Sequence, residues 1–172
     1  GAVYGVNAKQ AERLYEIASE YADLKGDETV LDLYCGAGTI GLSMAKKVKK
    51  LIGVEIIPEA IENAKENAIR NKIDNAEFIC GDAGKVASEL IEKGIRPDVI
   101  VLDPARKGCD NVALDAIIKM NPQKIVYISC NPATCARDLK ILSENGYKAE
   151  KARAVDMFPR TNHCECVVKL TK

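Results

Sequence analysis

Residues 29–41 read TVLDLYCGAGTIG, an apolar run that passes directly into a glycine-rich turn. Residues 29–34 predict a buried strand, because aliphatic and β-branched side chains fit a strand that is covered on both faces. The apolar pattern after the glycines predicts a helix over residues 40–47. Such a strand–turn–helix unit is typical of a parallel α/β sheet, since the helix returns the chain for the next parallel strand.

The same alternation of strand and helix continues along the chain. Further strands are predicted at residues 51–55, 76–80, 97–102 and 124–128, and further helices at residues 8–24, 58–71, 83–93, 112–120 and 133–145. Two closing strands, at residues 149–155 and 164–170, have no helix between them and predict an antiparallel hairpin at one edge. The sequence therefore predicts an α/β fold, doubly wound, with a mostly parallel seven-stranded sheet in one domain over residues 1–172.

The composition is that of an ordinary globular protein. Hydrophobic residues make up 47% and charged residues 29%, and 25 basic residues balance 25 acidic ones. A net charge of zero argues against a dominant polybasic surface, so any contact with nucleic acid is expected to be local or to come from elsewhere. No apolar run approaches the ~20 residues of a membrane span and no signal peptide is evident, so we expect a cytoplasmic protein without a membrane partner.

The seven cysteines do not predict a metal site or a disulfide framework. They form no C-x-x-C pair, and the single histidine, His163, cannot complete a zinc site of ordinary spacing. An odd number of cysteines without a secretory signal favours reduced thiols in the cytosol. The chain opens with Gly1-Ala2 rather than Met, and we expect it to be part of a longer protein.

The glycine-rich turn predicts a nucleotide-type cofactor. Residues 36–41 match the G-x-G-x-x-G fingerprint, and Glu55 follows Gly36 by 19 residues at the end of the second strand. Both NAD and S-adenosylmethionine (SAM) require glycines, so that backbone can approach the ligand, and an acid to hold the ribose hydroxyls. The fingerprint alone leaves an NAD-linked oxidoreductase and a SAM-dependent enzyme open.

The approach to the glycines favours SAM. Asp32 lies inside the strand, and two residues, Tyr34 and Cys35, precede Gly36. The resulting Asp-x-x-x-Gly-x-Gly pattern resembles the first motif of class I SAM-dependent methyltransferases, which have a Rossmann-like fold. This resemblance implies that Gly36, Gly38 and Glu55 bind SAM. Asp82 suits the N-cap of the helix over residues 83–93 and, in that fold, commonly also faces the adenine ring.

Three further segments follow predicted strands at the sheet edge where α/β proteins bind ligands. Residues 102–108 read LDPARKG, residues 129–134 read SCNPAT, and residues 156–165 read DMFPRTNHCE. Cys130 comes directly after a buried strand. Alone it would be read as one more small buried hydrophobe, which is the usual fate of a free cysteine. The other motifs predicted at the same sheet edge favour a chemical role for Cys130 instead.

These motifs, together with residues 32–38, closely resemble the RNA uracil-C5 methyltransferases from about residue 4 to residue 170. The resemblance implies that Cys130 is the nucleophile and Glu165 the proton acceptor. It also implies that Tyr34, Glu55 and Asp103 are cofactor residues, with Asp103 placed to contact either SAM or the flipped base. It implies RNA as the substrate, with ribosomal RNA favoured over transfer RNA, and we expect a monomer without a metal. Arg106 is interpreted as a phosphate contact, as an activator of the thiol or as a solvated charge.

The chain departs from the family pattern in two places. Residues 3–7 read VYGVN, so Gly5 stands where the family usually has a glutamine that contacts SAM. The family's N-terminal RNA-binding modules, which often carry an iron–sulfur cluster, are absent, so we expect the catalytic domain alone. A SAM-binding domain without catalytic output therefore remains an alternative. His163 is expected to orient Glu165 without a catalytic role of its own.

Overall fold

The computed structural model describes residues 8–157 and 164–172. Among these residues, seven strands form one sheet and six helices cover its two faces. The strands are β1 (Thr29–Leu33), β2 (Lys50–Glu55), β3 (Ala76–Cys80), β4 (Val99–Leu102), β5 (Lys124–Ser129), β6 (Lys148–Asp156) and β7 (Cys164–Thr171). The helices are α1 (Ala8–Ala22), α2 (Thr39–Met44), α3 (Pro58–Arg70), α4 (Ala83–Glu92), α5 (Asn111–Met120) and α6 (Pro132–Glu144).

The strands lie in the order β3-β2-β1-β4-β5-β7-β6. The first five are parallel to one another, whereas β7 is antiparallel to both β5 and β6. This confirms the predicted α/β fold with a mostly parallel seven-stranded sheet and an antiparallel hairpin at one edge. The hairpin folds back so that β7 lies inside the sheet and β6 forms the edge.

Local sequence explains where most elements begin. Asp82, Asp110 and Asn131 are N-caps whose side chains accept hydrogen bonds from backbone N–H groups of α4, α5 and α6. Proline occupies the first turn of α3 and α6, where its missing N–H costs no intrahelical bond. The predicted helix over residues 40–47 is split, because a 3₁₀ turn (Ala45–Lys47) replaces its last turn.

Apolar side chains pack on both faces of the sheet, so its central strands are buried on both sides. One layer joins α1, α2 and α3 to the sheet, and the other joins α4, α5 and α6. This explains why the central strands carry nearly continuous apolar runs rather than alternating patterns. No helix in the described part of the chain has the length and apolar character needed to cross a membrane.

The strand order fixes the place of the candidate site. The chain reverses direction across the sheet between β1 and β4, and ligands of open α/β sheets bind at the carboxyl ends of such neighbouring strands. The end of β5 meets the start of β7, because Ser129 pairs with Cys166 in register. Residues next to these two are thereby brought from distant parts of the sequence to one edge of the sheet.

Candidate active site

The turn after β1 requires its glycines. Gly36 and Gly38 have φ angles of 55° and 80°, in the left-handed region that favours glycine. A Cβ on Gly38 would also lie 3.1 Å from the ring of Phe78 and 3.2 Å from the side chain of Ala64. The turn is therefore held close against β3 and α3, with its backbone open at the sheet edge.

Glu55 joins this turn to the end of β2. One carboxylate oxygen accepts a hydrogen bond from Gly36 N at 3.0 Å and the other accepts from Ile57 N at 3.1 Å. Asn67 supports the turn from α3, since its Nδ2 donates to the carbonyl of Ala37 at 3.2 Å. The structure thus brings Glu55 and Gly36 together, as the cofactor prediction requires.

Asp82 lies at the same sheet edge, one strand further out. Its side chain accepts a hydrogen bond from Lys85 N at 3.0 Å, which confirms the predicted N-cap of α4. The preceding residue, Gly81, donates its N–H to the carbonyl of Glu55 at 3.0 Å. Asp82 is therefore placed near Glu55, and its contact with an adenine ring stays a prediction.

Tyr34 is oriented in a way that the sequence did not indicate. Its φ of 64° is unusual for a residue with a side chain, and its phenol lies near the thiol of Cys109. Burial raises the pKa of the Tyr34 phenol, and the nearby Cys109 raises it further. The phenol therefore lies on the side of the loop that carries Cys109, and the contact of Tyr34 with SAM stays a prediction.

Acidic side chains concentrate behind and beside the turn. Asp32 is 1% exposed, and burial raises the pKa of its carboxyl to about 8, with Asp103 and Glu55 adding to the rise. Burial also raises the pKa of Asp103 to about 7, with contributions from Glu165 and Glu55. The ends of β1, β2, β4 and β7 therefore form a cluster of acids that favours a positively charged ligand.

Replacing Asp32 by asparagine is expected to stabilise the fold. At pH 7 Asp32 is protonated in the folded state, whereas the same carboxyl would be ionised in the unfolded chain. Folding therefore includes the uptake of a proton, and this uptake costs free energy. Asparagine cannot take up this proton, and it keeps nearly the shape of the aspartate side chain that packs against Gly41. We expect the free energy of unfolding to rise by roughly 2–4 kcal/mol at pH 7.

Denaturant unfolding at several pH values measures this effect. The raised pKa stabilises the fold only at low pH, so the gain from Asp32→Asn should be small at about pH 4 and grow towards about pH 8. Asp74→Asn, in the exposed turn before β3, is the matched control and should change little. A destabilised Asp32→Asn protein at pH 7 would contradict the account.

The segment after β5 holds Cys130 in a defined position. The Ser129 hydroxyl accepts a hydrogen bond from Asn131 N at 3.1 Å and donates to the Asn131 carbonyl at 2.9 Å. These two bonds join the residues on either side of Cys130. The Asn131 side chain caps α6 through Ala133 N at 3.0 Å. Its Nδ2 also donates to the carbonyl of Arg106 at 2.9 Å, which ties this segment to the loop after β4.

Cys130 lies among the charged groups that the sequence predicted for the site. Partial burial raises the pKa of its thiol, and the carboxylates of Glu165 and Asp103 raise it further, whereas Arg106 lowers it. Glu165 is partly buried in β7, opposite Val155 of β6. The structure therefore brings Cys130, Glu165, Asp103 and Arg106 together. The thiol is protonated in the free protein, so its reaction as a nucleophile requires loss of that proton.

Two parts of the predicted site lie outside the described residues. Gly5 and the segment around it precede residue 8, and His163 falls between residues 157 and 164. Within the described ranges, no group of three or more His, Cys, Asp or Glu side chains is arranged to hold a metal ion.

Comparison with known proteins assigns the family. The family model of tRNA (uracil-5-)-methyltransferases matches residues 2–172. The chain belongs to this family. An uncharacterised RNA methyltransferase of Clostridium tetani is 56% identical over 98% of this chain, and one of Bacillus cereus is 53% identical over 98%. The chain spans 36% and 37% of the length of these two relatives, a little over a third.

Solved structures agree with this assignment. The tRNA (uracil-54, C5)-methyltransferase of Pyrococcus abyssi, solved with S-adenosyl-L-homocysteine, is 34% identical with a TM-score of 0.85, over 99% of this chain and 40% of that one. NSun6 of Pyrococcus horikoshii, at 18% identity and a TM-score of 0.75 over 92% of this chain and 51% of that one, shares the fold. Membership of the tRNA (uracil-5-)-methyltransferase family confirms the resemblance, the class I methyltransferase fold and SAM rather than NAD as cofactor.

Proposed function

We propose that this domain methylates C5 of a uridine in RNA, with SAM as methyl donor and through a covalent bond between Cys130 and C6 of the base. The observation that carries the proposal is the proximity of Cys130, which directly follows β5, to Glu165 of β7, because Ser129 and Cys166 pair in register. A thiol and a carboxylate on one side of a cofactor site are the two groups that this reaction needs from the protein.

The residues of the cofactor turn fit SAM. Gly36 and Gly38 leave the backbone accessible, and Glu55 lies at the end of β2, where a carboxylate can accept hydrogen bonds from ribose hydroxyls. Asp32 and Asp103 have raised pKa values, and a cationic ligand beside them would stabilise their ionised forms. When bound, SAM supplies a methyl group attached to a positively charged sulfur.

Cys130 makes the base reactive. C5 of uracil is too weak a nucleophile to take a methyl group unaided, and a thiolate that adds to C6 places negative charge on C5 and O4. The Arg106 guanidinium lowers the pKa of the Cys130 thiol and so favours the thiolate, which burial and the neighbouring carboxylates oppose. We propose that Arg106 activates the thiol.

Glu165 completes the reaction. After C5 has received the methyl group it still carries its proton, and this proton must leave before the C6–sulfur bond can break. Glu165 contributes to the raised pKa of the Cys130 thiol, and its neighbour Cys166 pairs with Ser129, which supports a role for this carboxylate in removing the C5 proton. Its removal restores the double bond and expels the Cys130 thiolate.

Ribosomal RNA is the substrate that the sequence favoured, and the family name and the archaeal structure point instead to transfer RNA. To decide, the full-length protein is incubated with total RNA from cells lacking its gene, and nucleosides from separated RNA fractions are analysed by mass spectrometry. The proposal expects 5-methyluridine in one fraction and none without SAM. SAM binding without any methyl transfer would instead support the non-catalytic alternative.

Replacing Glu55 by alanine is expected to weaken binding of SAM and of S-adenosylhomocysteine. Loss of hydrogen bonds to a charged acceptor should cost on the order of 1.5–3 kcal/mol of binding free energy, measured by calorimetry. Glu55 also holds Gly36 N and Ile57 N, so Glu55→Gln separates the loss of charge from the loss of the loop contacts. Exposed Glu62→Ala is the control. Unchanged affinity in both Glu55 variants would remove this residue from the cofactor site.

The affinity for SAM is expected to rise with pH through neutrality. Burial raises the pKa of Asp103 to about 7, so its carboxyl is neutral below that pH and charged above it, and the charged form favours the cationic cofactor. The dissociation constant should fall by about tenfold from about pH 6 to pH 8 for one linked proton. Glu165, Glu55 and Asp32 face the same region and shape the profile.

Two controls test this pH dependence in calorimetry. Asp103→Asn should flatten the profile, and any dependence left above pH 7 belongs to Asp32. The affinity for S-adenosylhomocysteine, which lacks the charged sulfur, should depend less on pH than the affinity for SAM. An affinity for SAM that is constant with pH in the unmodified protein would show that Asp103 does not face the cofactor.

A further inference from the structure

Side chains at the N-terminal end of α6 hydrogen-bond to the backbone of the loop that follows β4. Asn131 Nδ2 and Thr134 Oγ1 both donate to the carbonyl of Arg106 at 2.9 Å. One turn further along the helix, Arg137 Nη2 donates to the carbonyls of Lys107 at 2.7 Å and of Cys109 at 3.2 Å. The helix that begins just after Cys130 thus pairs with the backbone of the loop that carries Arg106.

Asp138 is the buried end of this set of contacts. It is 0% exposed and accepts hydrogen bonds from Cys109 N at 2.9 Å and from the Tyr127 hydroxyl, and it pairs with Arg137 at 3.2 Å. A buried carboxylate with this many donors is firmly placed, because losing any of them leaves charge or polarity unpaired.

The loop is packed tightly against Asp138. Gly108 has a φ of 75°, and a Cβ there would lie 2.7 Å from Oδ2 of Asp138 and 2.7 Å from Nη2 of Arg137. Only glycine therefore allows the loop to approach the helix this closely. In the described part of the chain, the hydrogen bonds that hold Arg106 all use its carbonyl, so its guanidinium is placed by the path of the backbone.

We propose that Asp138 is a positioning residue, which anchors the loop after β4 to α6 and thereby keeps the Arg106 guanidinium beside the Cys130 thiol. The inference rests on the proposed role of Cys130 as the nucleophile. Asp138 touches neither cofactor nor base and acts through the backbone of residues 106–109. It lies in α6, eight residues after Cys130, in a stretch of sequence to which no chemistry was assigned.

The sign of the effect separates positioning from direct electrostatics. The groups that shift the pKa of the Cys130 thiol are Glu165, Arg106 and Asp103, from β7 and from the loop after β4, and Asp138 is not among them. Removing a nearby negative charge would by itself lower a thiol pKa. Loss of Arg106 from its place would raise it. Asp138→Asn is therefore expected to raise the pKa of the Cys130 thiol, whereas simple removal of a negative charge would lower it.

The test is the rate of alkylation of Cys130 by iodoacetamide as a function of pH, in the full-length protein and resolved by peptide mass spectrometry. Asp138→Asn should shift the midpoint of the Cys130 profile upward by roughly half to one pH unit, as should Arg106→Gln. The double variant should shift no further than Arg106→Gln alone. The exposed thiol of Cys80 is the internal reference and should keep its midpoint.

Two further variants keep the test decisive. Tyr147→Phe removes a buried hydrogen bond to the Pro122 carbonyl in the same helical layer and should leave the Cys130 midpoint unchanged. Arg137→Gln weakens the same anchor from a half-exposed position and should also shift the Cys130 midpoint upward. It takes the place of Asp138→Asn in the test if that variant does not fold. An unchanged or lowered midpoint in the Asp138 and Arg137 variants, or shifts that add in the double variant, would overturn the proposal. Alkylation needs no methyl transfer, so such a failure would leave the proposed function standing.

Discussion

The Cys130→Ala enzyme is expected to transfer no measurable methyl group to RNA, a loss on the order of 10⁴-fold or more. Without the thiolate, no negative charge develops on C5 and the carbon cannot attack the methyl group. Cofactor affinity should change little, since the contacts proposed for SAM come from the ends of β1, β2, β3 and β4. The measurement is incorporation of labelled methyl from SAM into RNA, with calorimetry of SAM as the companion.

Cys80→Ala is the matched control for this variant. Cys80 is an exposed thiol at the end of β3, so its loss removes the same chemical group from another strand. It should retain methyl transfer. A Cys130→Ala enzyme that keeps substantial activity would show that no covalent bond to C6 is required and would overturn the proposed mechanism.

The Glu165→Gln enzyme is expected to accumulate a covalent protein–RNA adduct that already carries the transferred methyl group. Glutamine keeps the shape of the side chain and cannot take the C5 proton, so the C6–sulfur bond cannot break. The addition of the Cys130 thiolate to C6 should not be slowed. Glu165 raises the pKa of the Cys130 thiol, and removing its charge favours the thiolate.

A shifted band on a denaturing gel, labelled from SAM, measures this adduct. The double variant Cys130→Ala/Glu165→Gln should give no band, because the adduct needs the thiol. A Glu165→Gln enzyme that turns over normally, or that forms no adduct while Cys130 is intact, would show that another residue is the base. The full-length protein is required, since a domain of zero net charge offers little grip on phosphate.

The sequence predicted much of the fold because the strands are buried on both faces. Their apolar runs place β1 to β5 within a few residues of the observed bounds. The edge hairpin was also predicted. The position of β7 between β5 and β6 was not, because two antiparallel strands that close a chain can add to a sheet in either order. That order is what brings Glu165 to Cys130.

The candidate site shows the same division. Gly36, Glu55 and Cys130 belong to short contiguous motifs, and the structure places them at one edge of the sheet as predicted. Asp138 and Tyr127 carried no motif. Their roles come from contacts between α6, β5 and the loop after β4, which no local pattern encodes. The position of the Tyr34 side chain was not predicted for the same reason, since Tyr34 has a left-handed backbone and lies near Cys109 of another loop.

If the methyl group goes to C5, that carbon must lose its hydrogen, and release of this hydrogen is the decisive measurement. The full-length protein is given SAM and RNA that carries tritium at C5 of its uridines, and tritium in water is counted beside methyl groups in RNA. Because C5 loses its hydrogen for each methyl it gains, one tritium should be released for each methyl transferred. Methyl groups that enter RNA while the tritium stays in place would contradict the account.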